Sequence, residues 1–316
     1  MLRRVATPSA DVALSVAGQP LYPGDAVDGE VVVTPRDSFV AALGLVRLLQ
    51  TEVLRIDSAR DAVPQMMVPG RRGGRRGIGP VFVDHVFAEN MPMENGVVQR
   101  YPVSVRLPVQ AMPTVKGKHA RITWEISASV LTDADWMPSG NSVLSNLARG
   151  RAGECTQEIV VFARPDGTIF GGERLPDEPQ ATREHRRVIL DLMLASSKVA
   201  NGGALEGSLS IKPQRSFAAR ELRVELMRWE RSGSKQARVV ESSQVLQRPA
   251  VLTAGEETNW AFQLPVPDRL MPSVLGHHTF VGWQVRAVIA RGFLPNFTVS
   301  QPVQVYTSPV TAASGF

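Results

Sequence analysis

The sequence predicts an all-β protein made of two tandem β-sandwiches. Three observations carry that expectation. The chain repeats itself at long range, its apolar residues fall in short β-branched runs, and Gly and Pro punctuate those runs. Gly (26) and Pro (23) occupy 49 of 316 positions, more than a helical protein tolerates and well short of a low-complexity chain. At about 150 residues per domain the length fits two domains, each with its own core. Hydrophobic residues at 43% and charged residues at 21% give ordinary globular composition.

The repeat organises the chain. Residues 24–52 read GDAVDGEVVVTPRDSFVAALGLVRLLQTE and residues 202–230 read GGALEGSLSIKPQRSFAARELRVELMRWE, with ten of 29 positions identical at an offset of 178. Gly29/Gly207, Pro35/Pro213, Phe39/Phe217 and Leu48/Leu226 are among them. Further on, Met112, Pro113, Val115, Gly117, His119 and Trp124 match Met271, Pro272, Val274, Gly276, His278 and Trp283 at 159. Leu107-Pro108-Val109 matches Leu264-Pro265-Val266 at 157. The shrinking offset places some 20 extra residues in the first copy, and PQMMVPGRRGGRRGIGP (64–80) is the candidate insertion. A period this long means tandem domains and not a solenoid.

Strand-like runs follow in order. The first copy offers EVVVT, LVRLLQ, VFVDHVF, SVRLPV, ARITWEISASV and EIVVFA. The second offers VILDLML, GSLSI, LRVELMRW, ARVVESSQVL, NWAFQLPV, FVGWQVRAVIA and FTVSQPVQVY. Each is short, β-branched and partly alternating, bounded by Gly, Pro, Asn or Asp, the pattern of an antiparallel sandwich. Proline inside SVRLPV and NWAFQLPV demands a sheet edge or a strand end, because it lacks the ladder's N–H. Trp124/Trp283 and Phe39/Phe217 recur in both copies and read as core. One short helix is expected over 141–149, capped by Asn141 or Ser142. The expected domains are 1–165 and 185–316, joined by an acidic, Pro- and Gly-containing linker over 166–184.

Several function classes lack their signatures. No HExxH, GxSxG, GxxxxGK[ST] or GxGxxG occurs, so no enzyme is expected. The five histidines are scattered, Asp133 and Asp135 lack the spacing of a calcium loop, and Cys155 is alone; neither a metal nor a cofactor is expected. The opening MLRRVATPSADVALSV leads into no apolar core of a secretory signal, and no run reaches the roughly 18 apolar residues of a membrane span. A cytoplasmic protein is expected.

The ordered motifs resemble one known family. YPGDAVDGEVVV and LPVQAMPTVKGKHARITWEI are similar to the N-domain of arrestins, and GGALEGSLSI, RELRVELMRWE and LPVPDRLMPSVLGHHTFVGWQVRA to the C-domain. The resemblance covers most of the chain. It implies two arrestin-like immunoglobulin-type β-sandwiches and a non-catalytic scaffold or adaptor. An Arg-, Ala- and Val-rich composition points to a GC-rich bacterial genome, and bacterial sporulation-control arrestin-like proteins are one branch of the family. The chain lacks PPxY, a long acidic tail after TSPVTAASGF, and an adjacent lysine pair in DVALSV. These departures set aside the ubiquitin-ligase docking and phosphate sensing of other branches.

Charge then points to a binding segment. Residues 1–165 carry +2, 166–184 carry −3 and 185–316 carry +6. Arg71, Arg72, Arg75 and Arg76 lie in one glycine-flanked stretch whose guanidinium forks suit phosphate or carboxylate. A protein partner at these four arginines is the main expectation, with Trp136 and Met137 in the irregular stretch 132–153 as a second contact. Nucleic acid or another anionic surface at the same basic loop is the alternative, weakened by the lack of an aromatic residue among the arginines. A third reading is a structural protein that forms homo-oligomers through its sheet edges.

Overall fold

The computed structural model describes residues 8–18, 20–55, 75–132, 150–165 and 179–308. The described chain is all-β, with no helix among those residues. The helix expected over 141–149 lies outside them. The chain divides into two compact units. The first comprises Met1–Thr114 and Ile122–Val161, and the second Val115–Arg121 and Phe162–Phe316.

The first half contributes β1 (Ala10–Val16), β2 (Ala26–Pro35), β3 (Phe39–Arg55), β4 (Arg75–Met93), β5 (Gln99–Arg106), the two-residue β6 (Val115–Lys116), β7 (Arg121–Leu131) and β8 (Arg151–Ile159). In the first unit β1-β2-β5 form one sheet and β4-β3-β7 a second, with β8 on the far side of β7. Alternation drives the layering. Val27, Val31, Val33, Val103 and Val105 of one sheet and Val46, Leu48, Trp124, Ile126 and Ala128 of the other share one core. This is a sandwich-like arrangement.

The second half contributes β9 (Gln180–His185), β10 (Val188–Leu194), β11 (Lys198–Ala200), β12 (Ala204–Pro213), β13 (Phe217–Ala219), β14 (Glu221–Ser232), β15 (Lys235–Gln247), β16 (Ala250–Leu252), β17 (Thr258–Pro265), β18 (Val274–Leu275), β19 (Thr279–Arg291) and β20 (Leu294–Tyr306). Sheet β17-β12-β10-β9 accompanies sheet β11-β20-β19-β14-β15, with β13-β16 as a small separate ribbon. β9 occupies residues read above as the end of the linker. It is an edge strand exposed along most of its length, so no apolar alternation marks it in the sequence.

The duplication extends to the pairing register. Ala10–Val16 pair with Pro35–Gly29 just as Val188–Leu194 pair with Pro213–Gly207. On the central strands, Gly44↔Val130 and Glu52↔Ile122 of β3 and β7 become Leu222↔Ile289 and Glu230↔Val281 of β14 and β19. Even the first bulge of the following hairpin recurs, after Gly44 in one copy and after Leu222 in the other. The isolated parallel bridge Leu21↔Val161 reappears as Val199↔Val305.

Register corrects one alignment. Ala26 pairs with Arg106 and the equivalent Ala204 with Pro265. The second block therefore keeps the offset of 159, and the Leu-Pro-Val match at 157 is two residues out of place. Both prolines nonetheless sit where a missing N–H is tolerated. Pro265 ends β17 and Pro108 lies just past β5, and both strands are sheet edges.

Candidate partner-binding surfaces

Most of the repeated residues are spent on the fold. The Trp124 indole N–H donates to the Met112 carbonyl at 2.8 Å, and that of Trp283 to the Met271 carbonyl at 3.0 Å. The hydroxyls of Thr114 and Ser273 accept from the Val161 and Val305 amides at 2.9 and 3.0 Å. The amides of Thr114 and Ser273 donate back to the same residues' carbonyls. One Met-Pro-Thr/Ser-Val turn thus fastens Val161, just past β8, in the first unit and Val305 of β20 in the second, and holds the central tryptophan, which satisfies an indole that would otherwise be buried unpaired. Gly29 and Gly207 are equally structural. A Cβ on either would stand 2.3 or 2.4 Å from the carbonyl oxygen of Ser15 or Met193 on the adjacent strand.

Where the copies differ, they differ at hairpin ends. Leu54 pairs with Arg76 across the end of β3–β4, whereas the equivalent Ser232 pairs with Lys235 across a two-residue turn. The offset drops from 178 to 159 here, so the first copy carries 19 extra residues at this tip. Gly77–Pro80, assigned above to the inserted loop, instead continue β4, with Ile78 opposite Glu52. At β7–β8, Leu131 pairs with Arg151 across a long connection, while β19–β20 closes with Arg291 opposite Leu294. The pairings Trp124↔Ile159 and Trp283↔Val303 set the next offset at 144, a second excess of 15 residues.

These two insertions are the segments singled out above. Arg71, Arg72, Trp136 and Met137 lie outside the described residues. Arg75 and Arg76 fall on the backbone of β4, opposite Arg55 and Leu54. The bases of the two hairpins lie at opposite ends of one sheet, because β7 runs antiparallel to β3 with Leu131 opposite Leu43. Twelve residues of β3 separate Leu43 from Arg55, about 40 Å at some 3.3 Å per residue. The Arg segment and the 132–153 segment are therefore rooted at two separate places.

Charged side chains are also handled differently in the two units. On β3, Arg47 makes a bidentate pair with Asp84 at 2.6 and 2.8 Å. At the equivalent point of β14, Glu225 accepts from Arg223 at 2.6 Å and from Arg286 at 2.6 and 3.0 Å. Burial alone would raise the Glu225 carboxyl; hydrogen bonds from Arg223 and Arg286 outweigh it and hold the group below the usual carboxylate value. Further along β14, Arg228 bonds Glu230 and Glu241. The Glu230 carboxylate also accepts the His119 and Ala120 amides at 2.8 and 3.2 Å, which ties the segment Val115–Arg121 into the second unit. Here charge serves architecture. Among the described residues, no group of three or more His, Cys, Asp or Glu could hold a metal ion, and no helix is long and apolar enough to cross a membrane.

Sequence reasoning missed one surface feature. β15 is an edge strand with Val239, Val240 and Val245 exposed, and β17 reaches it through the Gln263 amide, which donates to the Gln244 side chain at 2.9 Å. Alternation in ARVVESSQVL marked a strand but could not tell an edge from an interior position.

No protein-family model matches the chain, and no curated protein matches it.

Proposed function

We propose that the chain is a non-enzymatic, arrestin-like scaffold or adaptor that works in the cytoplasm and takes a protein partner. One observation carries this reading. The two copies agree in strand pairing and fastening residues, and depart from each other at hairpin tips, where the first copy adds 19 and 15 residues. Rigid scaffolds that display variable connections are the usual architecture of binding modules. The motif order of the arrestin resemblance agrees with it. Of the two tips, the one with Arg71, Arg72, Arg75 and Arg76 is the better contact, since guanidinium forks engage carboxylates on a protein surface with directional bonds.

The test is affinity capture from the source cell's lysate, with and without nuclease, comparing the wild type with the chain in which those four arginines are alanine. A defined protein held regardless of nuclease and lost in the variant is the expected result. Material lost on nuclease treatment overturns the reading in favour of nucleic acid. Capture unchanged by the substitutions removes the arginines from the site.

A further inference from the structure

β15 is the last strand of its sheet, and only its first half is open along the edge. Beyond Val240 the edge is interrupted. Glu241 is the extra residue of a bulge, its carboxylate taken by the buried Arg228 at 2.7 Å, and further on the Gln263 amide of β17 bonds the Gln244 side chain. What remains is residues 235–240, about 20 Å of extended chain that pairs with β14 on one side. Arg238, Val239 and Val240 are exposed in succession, as on an edge open to solvent.

The face beside this edge carries an unusual set of side chains. Gln236, Arg238 and Val240 share it with their register partners Arg231, Trp229 and Met227 of β14. The Arg238 guanidinium lies 4.7 Å over the Trp229 ring and that of Arg231 5.7 Å over the Phe280 ring. Gly282, opposite Trp229, leaves room for that phenylalanine; a Cβ there would stand 2.4 Å from its Cζ. Unlike Trp124 and Trp283, Trp229 has no hydrogen-bond partner for its indole N–H among the described residues, so what it contributes is its ring. Arg231 and Arg238 are both exposed, and neither makes an ion pair among the described residues. A guanidinium that gives its face to a ring keeps its N–H edge for a carboxylate, with part of its rotamer freedom already lost.

The duplication shows that the fold does not require this arrangement. Trp229, Arg231, Phe280 and Gly282 correspond to Thr51, Val53, Arg121 and Thr123 in the first copy. The same framework carries no aromatic ring at those places.

We infer that residues 235–240 take up an extended acidic segment of another protein as an additional strand, with a carboxylate beside Arg238 and an apolar side chain two residues away beside Val240. Two features select that occupant. An unpaired main-chain edge is complemented by another polypeptide, strand to strand, which neither a lipid nor a nucleic acid can do. The segment itself reads KQARVV, with two cations and no anion. A second copy of it would gather four positive charges on one ribbon, whereas an acidic strand meets opposite charge. The inference stands apart from the arginine hairpin of the adaptor reading, since it uses none of its residues.

The experiment is fluorescence anisotropy of the full chain with a labelled eight-residue peptide in which glutamate alternates with threonine and one inner glutamate is valine. A second peptide carries glutamine in place of every glutamate. The wild type is expected to bind the glutamate peptide, and the glutamine peptide at least tenfold more weakly. Arg238→Gln weakens binding of the glutamate peptide by about tenfold, the loss of one charged hydrogen-bonded pair, while the melting temperature stays nearly unchanged because the side chain is exposed. Alanine at Arg71, Arg72, Arg75 and Arg76 leaves binding as it was, which separates this site from the arginine hairpin. Amide exchange slows within residues 235–240 when the glutamate peptide is added. A wild type that binds neither peptide, or both equally, overturns the inference. So does binding that survives Arg238→Gln, binding lost with the four hairpin arginines, or exchange protection that falls outside β15.

Discussion

The two units share a backbone almost pair for pair and bury opposite charges at the same point. Arg47 occupies in the first the position that Glu225 occupies in the second, and each is neutralised from a different direction. Asp84 reaches Arg47 from β4 on one side, while Arg223 from the same strand and Arg286 from β19 reach Glu225. What the fold requires here is a satisfied ion pair on the central strand, with no preference for its polarity. A buried charge left alone is costly, and a paired one is close to neutral. The comparison separates what folding dictates, which recurs, from what it leaves open, which has diverged at the tips.

The comparison breaks most visibly at the tryptophans. Trp124→Ala and Trp283→Ala should each cost about 3–5 kcal/mol in denaturant unfolding, since each loses a buried indole and its bond to a methionine carbonyl. If one is nearly neutral, the two turns are not equivalent. Arg286→Met leaves Glu225 with one guanidinium where it had two. A loss of roughly 1–3 kcal/mol is expected, discounted because the Arg286 side chain is 31% exposed. Gly29→Ala and Gly207→Ala should each cost about 1–3 kcal/mol through the clash with the neighbouring strand's carbonyl, and by similar amounts.

Acid gives a smaller and more specific difference. The Glu225 carboxyl is lowered in the folded chain, so its stabilisation is fully present above the ordinary glutamate value. It is lost as pH falls through the lower folded value. Unfolding followed by a probe in the second unit should thus show an acid limb below about pH 4, near the reference glutamate value. Glu225→Gln should flatten that limb. An unchanged limb in this variant would assign it to other carboxylates.

Much of this was legible in the residues. Periodic apolar runs gave the strands, and the self-match gave the duplication, because core positions on equivalent strands face the same packing demand. β9 was not legible, since an edge strand wet on both sides carries no alternation. The false Leu-Pro-Val alignment arose because a proline is tolerated anywhere near the end of an edge strand, so its match does not fix register. Which side chains meet was hidden as well. His185, Phe217 and Arg291 are far apart in sequence, and only the return of their strands to Phe297 brings them together.

The most direct test of the account replaces residues 55–75 by Gly-Ser, the two residues that close the equivalent hairpin of the second unit. Stability and partner capture are then measured on the same preparation. If folding fixes the framework and function resides in what was added to it, the shortened chain melts within about 1 kcal/mol of the wild type, as a loop change should, and no longer holds its partner. A chain that fails to fold, or one that folds and captures the partner as before, would contradict that account.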